Sequence, residues 1–329
     1  MWQNNNKSDY ISTINILRGI AALSVVIFHF VCRTTGFIQN ELVKGIFGFG
    51  ALGVEMFFII SGVVIPLSML RYKYTYNKIV FFLKKRLCRI EPPYLITVFL
   101  CVAFFYLRYI ILGDIRFYSI TINDILMHLV YLVPFFENSE WFSPIFCFFS
   151  IEFQFYLFMA LFLPFLTNKN LIFRAIFHIL ILVSPFFTER GFFPYWSTFF
   201  ALGIYYVVWK KNLITKAEFL VMFILCLSIN LYIHSIPAII VALGTLFLIE
   251  FKPNINSAKG NFLGKISYSL YLTHGLTGQV FINLLSKKIT FVYEKITLFI
   301  LGVIIAIFLS YVFYRLIEKP SQSLARKIK

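Results

Sequence analysis

Charged side chains are scarce in this sequence, and acidic ones most of all. The 329 residues include 14 Asp and Glu against 30 Lys and Arg, and charged residues make up only 13% of the chain. A soluble domain carries about 25% charged residues and about half apolar ones, whereas this chain is 60% hydrophobic and 20% aromatic. These proportions exclude a soluble globular protein and indicate one that uses lipid as its solvent.

The cysteines also show no pattern typical of disulfides or metal sites. The chain has five cysteines, and none of them forms a CxxC pair or shows the spacing of metal ligands. They are Cys32, Cys88, Cys101, Cys147 and Cys226. A disulfide framework and a zinc site are therefore unsupported, and we expect no metal. A cleavable signal is not evident either, because the first apolar run has spanning length.

Apolar runs dominate the chain, and ten of them have the roughly 16 to 25 residues needed to cross a hydrocarbon core of about 30 Å. They are 12–33, 49–70, 92–112, 142–166, 171–187, 193–209, 216–233, 236–250, 262–285 and 296–317. Polar residues interrupt the stretch 120–136, which we interpret as re-entrant or interfacial. We predict an all-α polytopic membrane protein formed by one domain, 1–329.

The basic excess, a formal charge of +16, indicates membrane topology. Most Lys and Arg lie in short connections between apolar runs, as the positive-inside rule predicts for the cytoplasmic side. With ten spans, both termini face the cytoplasm and no nucleic acid partner is expected. The densest basic segment, 71–91, then faces the cytoplasm on an interfacial helix that Pro92-Pro93 is expected to end.

Ionisable residues inside the predicted spans are costly, so they direct attention to function. They are Arg18, His29, Glu55, Glu152, His178 and His274. Arg18 and His29 are eleven residues apart, which places both on one helical face about 16 Å apart along the axis. A neutral imidazole can accept a proton from a hydroxyl, and a guanidinium can hold phosphate. Alternatively, Arg18 is a positive-inside anchor and His29 a packed core residue.

The two glutamates carry less specific signals. Glu55 is predicted at a depth similar to that of His29, where a carboxylate can orient the imidazole as the third group of a triad does. The alternative is a buried hydrogen-bond partner for another helix. Glu152 lies near mid-span with Gln154 and Tyr156, which indicates a polar cavity without a specific role.

Several motifs, in order along the chain, resemble those of one enzyme family. The segments INILRGIAALSVVIFHF and ALGVEMFFIISGVVIPLSM contain Arg18, His29 and Glu55, and FFLKKRLCRIEPPYL contains Arg86 and Arg89. SIEFQFYLF, LGKISYSLYLTH and YRLIEKP contain Glu152, His274 and Glu318. Together they resemble the acyltransferase-3 family of bacterial membrane O-acyltransferases, in its stand-alone form and over nearly the whole chain.

This resemblance implies an acyl-CoA donor, usually acetyl-CoA, on the cytoplasmic side of a bacterial inner membrane. It implies an acceptor hydroxyl on a cell-envelope or secreted glycan, free or lipid-linked. The embedded histidine is implicated in transfer and the paired arginines in handling the donor. The protein's other expected partners are membrane lipids, and the sequence leaves its oligomeric state open.

Our hypothesis assigns these roles to particular residues. Arg86 and Arg89, helped by Arg18, hold the phosphates of the donor, since paired guanidinium groups suit phosphate recognition. His29 acts as general base, and Glu55 fixes its tautomer. A further group, consisting of Glu152, Tyr156 and His274, is expected to line a cavity or acceptor site. The main alternative is a transporter or flippase of a lipid-linked glycan, because intramembrane charges also mark substrate pathways.

Overall fold

The computed structural model describes residues 9–136, 139–252 and 255–328, and these residues form helices and no strand. The α-helices are α1 (Asp9–Cys32), α2 (Glu41–Gly48), α3 (Gly53–Arg71), α4 (Ile79–Leu112), α5 (Ile122–Leu129), α6 (Phe146–Leu166), α7 (Leu171–Val183), α8 (Phe193–Lys210), α9 (Lys216–Ile233), α10 (Ile236–Phe251), α11 (Ala258–Thr273), α12 (Val280–Ser286), α13 (Val292–Phe313) and α14 (Lys319–Lys327). Two π-helices, Gly275–Gln279 and Tyr314–Glu318, interrupt the last third of the chain.

Six helical stretches of the described residues are long and apolar enough to cross a membrane. They are Ser12–Cys32, Glu41–Arg71, Tyr76–Leu112, Phe146–Leu166, Lys216–Ile233 and Val292–Lys327. Two shorter apolar stretches, Leu171–Phe187 and Ile236–Phe251, accompany them. The chain is thus an all-α multi-pass membrane protein, as predicted. The count of ten spans and the cytoplasmic side stay predictions, and the two chain ends lie outside the described residues.

The expectation that Pro92-Pro93 ends a helix is wrong. α4 runs through both prolines as one helix of 34 residues, so the predicted span 92–112 is only its second part. Prolines remove backbone donors and leave carbonyl groups of the preceding turn without their helical partners. Beside this break, the hydroxyl of Tyr268 donates to the carbonyl oxygen of Ile90 at 2.7 Å. The carbonyl oxygens that lose their helical partners are those of Cys88 and Arg89, and membrane helices contain proline where the surrounding structure satisfies such groups.

The polar stretch 120–136 forms two short pieces. α5 has eight residues, which rise about 12 Å and are too short to cross a bilayer core. Thr121 and Asp124 form a capping box that starts this helix. A single 3-10 turn at Val133–Phe135 follows it.

The chain folds into two compact units. Unit 1 contains the described residues of Met1–Ala21, Leu52–Leu83 and Ser150–Lys265. Unit 2 contains Ala22–Ala51, Lys84–Phe149 and the described residues of Ile266–Lys329. Four helices, α1, α4, α6 and α11, contribute residues to both units.

In unit 1, α3 and α8 pack against each other through glycine. A Cβ on Gly62 would overlap the carbonyl oxygen of Phe200, and a Cβ on Gly203 would overlap that of Ile59. Helices approach this closely in a membrane where small residues face each other. Thirteen of the 18 residues of α8 are buried, so this helix is the centre of unit 1.

In unit 2, the first π-helix packs against α13 and the end of α1 through a second close approach. A Cβ on Gly278 would overlap both the carbonyl oxygen of Gly302 and the ring of Phe30. Phe30 is fully buried and is the neighbour of His29. This contact fixes the last turn of α1 beside the segment that follows His274.

Candidate active site

Two membrane-embedded histidines meet in unit 2. His29, in the last turn of α1, places Nδ1 3.2 Å from Nε2 of His274, which directly follows α11. The two rings cross at 64° with their centres 4.9 Å apart. His274 is fully buried, whereas His29 is only half-buried. Sequence reasoning selected both residues but did not predict that they pair.

The partners of His274 determine where the protons lie. Its Nδ1 is 3.1 Å from the carbonyl oxygen of Leu270 and 2.8 Å from that of Tyr271. Carbonyl oxygens only accept, so this Nδ1 is protonated. A charged imidazolium buried without a carboxylate is costly, and His274 has no carboxylate partner among the described residues. The ring is therefore neutral, and its Nε2 carries a lone pair.

His29 must then donate from Nδ1 to that lone pair, and its own Nε2 is left unprotonated. No hydrogen bond within the described part of the chain reaches this Nε2. The arrangement fixes one tautomer of His29 and leaves a basic nitrogen available. A neighbouring group that holds an imidazole in this tautomer is the usual companion of a catalytic histidine.

The chain after His274 is a π-helix, Gly275–Gln279, in which the helical hydrogen bonding widens by one residue. Such segments are rare and are frequent at functional sites. The widened turn carries the Gln279 side chain to within 3.5 Å of the carbonyl oxygen of His29. Thr34 reaches the same oxygen at 3.4 Å. Both side chains thus make polar contacts with the backbone of His29.

A buried polar network supports the last turns of α11, up to the residue before His274. The hydroxyl of Thr273 lies 2.8 Å from that of Ser310 on α13. Glu318, at the end of the second π-helix, accepts from the hydroxyl of Ser269 at 2.5 Å and from its backbone amide at 3.2 Å. Because buried hydrogen-bonded groups are costly to separate, this network holds α11 against the last helices of the chain.

The predicted donor residues also lie in unit 2. Arg86 and Arg89 are three residues apart on α4 and share one face of that helix. Both are half-buried. The hydrogen bond from Tyr268 to Ile90 joins this turn of α4 to α11. His274 follows Tyr268 by six residues, about 9 Å of helical rise, so α11 connects the arginine pair with the histidine pair.

The remaining predicted residues lie in unit 1. Glu152 accepts hydrogen bonds from Tyr156 at 2.5 Å and from Ser61 at 3.3 Å, so two of the expected cavity residues do meet. Arg18 and Glu55 belong to unit 1 as well. Oε2 of Glu55 is buried and has no hydrogen-bond partner among the described residues. Its predicted role in orienting His29 stays a prediction.

Two other histidines have both ring nitrogens engaged. His178 contacts the hydroxyl of Tyr205 at 2.8 Å and Glu218 at 3.1 Å. His128 contacts the carbonyl oxygen of Asp124 at 2.7 Å and accepts from the backbone amide of Phe142 at 2.9 Å. Neither ring has a nitrogen left for chemistry.

Comparison with known proteins decides the family. The model of the acyltransferase-3 family, described as an acyltransferase domain, matches residues 11–315. The chain belongs to the acyltransferase-3 family. No curated protein and no solved structure matches it.

In this membrane acyltransferase, membership of the family gives the class of reaction, transfer of an acyl group. The geometry of unit 2 offers what such a transfer needs. It has a histidine nitrogen able to accept a proton, a second histidine that fixes its tautomer, and a pair of arginines suited to phosphate groups.

Proposed function

We propose that this acyltransferase moves an acyl group, most simply acetyl, from cytoplasmic acyl-CoA to a hydroxyl of a cell-envelope or secreted glycan. It acts in the inner membrane of a bacterium, with His29 as general base. The hydrogen bond between His29 and His274 carries this proposal, because it leaves Nε2 of His29 unprotonated and without a partner in the described chain.

The transfer needs one base and one leaving group. Nε2 of His29 takes the proton of the acceptor hydroxyl, and the hydroxyl oxygen forms a bond to the thioester carbonyl carbon. The carbon–sulfur bond then breaks, and the CoA sulfur takes the proton from His29 and leaves as a thiol. The base returns to its first state, so no other reactant is consumed.

His274 acts on this step as a positioning residue. Its Nε2 accepts from Nδ1 of His29 in the neutral ring and stabilises the imidazolium that forms when His29 takes the proton. A carboxylate does this in many enzymes. A neutral imidazole does it here without placing a second full charge in the membrane.

Arg86 and Arg89 bind the donor. Their guanidinium groups can each form several hydrogen bonds to phosphate, and the neighbouring Lys85 adds to the positive field. An extended arm of the donor can then follow the side of α11 from Tyr268 towards His274. Arg18 belongs to unit 1, and its predicted role at the donor phosphates stays a prediction.

The proposal is tested with the purified protein in lipid nanodiscs, acetyl-CoA and a glycan extract of the envelope. We expect release of CoA thiol that depends on the glycan, and a gain of one acetyl mass on the glycan. A wild-type protein that binds acetyl-CoA but neither releases thiol nor acylates any glycan contradicts the proposal. Transport of the glycan under the same conditions would favour the flippase alternative.

A further inference from the structure

Four buried side-chain polar atoms in unit 1 lack hydrogen-bond partners among the described residues: Nε of Arg174, Nδ2 of Asn230, Oε2 of Glu55 and Nε2 of His234. Of these residues, Glu55 lies on α3, and His234 directly follows α9. A buried polar atom without a partner costs free energy, so each such atom in a native protein calls for a ligand or another explanation. Neither Glu55 nor His234 is used by the reaction assigned to unit 2.

Arg190 lies in the loop before α8, in the same unit as both Glu55 and His234. The side chain of Arg190 is exposed, and its backbone oxygen accepts from the indole of Trp196 at 2.8 Å. This hydrogen bond joins the backbone of Arg190 to an aromatic residue at the start of α8.

Aromatic rings fill the space around these groups. The ring of His234 stacks on Trp196 at 5.0 Å and lies 5.0 Å from Tyr195. Trp196 in turn contacts Phe58 at 5.2 Å, and Phe58 is one helical turn after Glu55. Tyr195 and Trp196 are both half-buried, so part of each ring faces outward.

The charge distribution places this cluster at the outer end of unit 1. The opposite ends of the same helices carry a set of basic residues: Arg71 on α3, Lys210 on α8 and Lys216 on α9. The positive-inside rule assigns that end to the cytoplasm. The Glu55 cluster therefore faces the compartment in which the proposed glycan acceptor lies.

The hydrogen-bond partners that Glu55 and His234 lack indicate the chemistry of a ligand that would supply them. Nε2 of a neutral His234 donates or accepts according to its tautomer, and a hydroxyl group can pair with either form. Glu55 can accept, and Arg190 supplies donors. Hydroxyl groups donate and accept, and the C–H face of a sugar ring packs on aromatic side chains. A carbohydrate combines these features, whereas an acyl chain has no hydroxyl group for Glu55 or His234.

We propose that Glu55, Arg190, Tyr195, Trp196 and His234 form a carbohydrate-binding subsite that holds the acceptor glycan. The subsite rests on the proposed function for its place in the reaction, but it makes a claim about binding that stands apart from catalysis. It also gives Glu55 a role different from orienting His29.

Binding is tested first, without any reaction. Wild-type protein in nanodiscs is applied to an array of bacterial-type oligosaccharides that contain hexose, deoxyhexose and N-acetylhexosamine residues. We expect retention of a subset of these glycans, and at least tenfold weaker retention by Glu55→Gln and by Trp196→Phe. Glu189→Gln removes an exposed charge from the neighbouring loop and should bind like the wild type. Equal retention by wild type and Glu55→Gln, or no retention by the wild type, overturns the subsite.

Kinetics then separates the two roles of Glu55. If the carboxyl binds the acceptor, Glu55→Gln raises the half-saturating glycan concentration about tenfold, and the loss is recovered at saturating glycan. If it orients His29, turnover falls at every glycan concentration and the half-saturating concentration stays the same, which overturns the subsite. Failure of the proposed function gives a third pattern, in which the wild type binds glycan on the array but transfers no acyl group.

Discussion

Two polar clusters of the protein are each built around a half-buried histidine. They differ in whether both ring nitrogens of that histidine have hydrogen-bond partners. In unit 2, His29 is bonded through Nδ1 to His274, and no described residue bonds to its Nε2. In unit 1, His178 is bonded through both nitrogens, and its partner Glu218 also pairs with Arg174 at 3.1 Å. A free nitrogen distinguishes a histidine that can transfer protons from one that holds helices together.

The cluster of His178 has the composition expected of an active site, with a carboxylate, a cation, an imidazole and the hydroxyl of the fully buried Tyr205. Hydrogen bonds and an ion pair join its members across α7, α8 and α9 and engage both nitrogens of His178, although Nε of Arg174 is buried without a partner among the described residues. The pair of His29 and His274 contains fewer kinds of functional group, but Nε2 of His29 has no hydrogen-bond partner in the described chain. Residue types alone do not show which cluster has a histidine nitrogen without a hydrogen-bond partner in the described chain.

The largest expected difference between the clusters is in turnover. His29→Gln keeps the approximate size of the side chain but removes the base, so turnover should fall about 10² to 10⁴-fold while acyl-CoA still binds. His178→Gln should keep turnover per folded molecule and lower thermal stability instead. Thiol release and melting temperature, measured on both variants, check this. Near-normal turnover of His29→Gln would make its imidazole structural.

A smaller effect is expected at His274. His274→Leu removes the acceptor for Nδ1 of His29, so the base loses its fixed tautomer and turnover should fall about 10- to 100-fold, as for other groups that orient a functional imidazole. His274→Gln can still offer an acceptor oxygen and should recover part of the loss. Equal turnover in the two variants would show that the hydrogen bond has no role.

Donor affinity should change by a similar or smaller factor. Arg86→Ala and Arg89→Ala each remove charge-assisted hydrogen bonds, which weakens acyl-CoA binding by about 1–3 kcal/mol. Lys84→Ala removes an exposed charge two residues before Arg86 and is the matched control. Equilibrium binding of acetyl-CoA in nanodiscs measures all three. Unchanged affinity in both arginine variants would place the donor site elsewhere.

In the structural cluster, the expected effect is on stability alone. Glu218→Gln breaks the pairs with Arg174 and His178, whose side chains are each about 15% exposed or less. Loss of a partner from such a buried network costs about 1–3 kcal/mol. Thermal unfolding in detergent should show the loss, with turnover of the folded protein unaffected. A fall in turnover without a change in stability would give this cluster a functional role.

The smallest effect concerns His128, whose nitrogens are also both engaged. Burial lowers the pKa of His128, against the opposing effect of its hydrogen bond to Asp124. A lowered pKa means that the unfolded chain binds the proton more readily, so this contribution to stability is complete above about pH 6.5 and is lost as the pH falls below it.

Protonation of His128 removes the lone pair that accepts from the amide of Phe142. Hydrogen exchange at that amide should therefore accelerate between pH 7 and pH 5 beyond the intrinsic change. His128→Gln should abolish this extra pH dependence. Parallel profiles in the two proteins would contradict the assignment.

The sequence supported prediction of the helical membrane fold and of the residues worth testing, because ionisable groups are rare in apolar runs. His29 and His274 were both selected this way, but they are 245 residues apart. Their contact depends on the packing of the π-helix and Gly278 against α13, which no local pattern records. Pro92-Pro93 misled the prediction because membrane helices can continue through proline, as α4 does.

His234 escaped sequence analysis for a different reason. It lies in a short connection between two apolar runs, where an imidazole costs little and attracts no attention. Its significance comes from the neighbours Tyr195 and Trp196 and from the nitrogen left without a partner. Such a site is defined by unsatisfied atoms, and these are visible only in three dimensions.

The central claim, that His274 holds His29 with a free Nε2, is tested most directly by ¹⁵N NMR of histidine-labelled protein in nanodiscs, with His29→Gln used to assign the signals. At neutral pH, we predict that His29 is protonated at Nδ1 and unprotonated at Nε2, and that His274→Leu changes this ratio. A His29 ring protonated at Nε2 and unprotonated at Nδ1 would contradict the account.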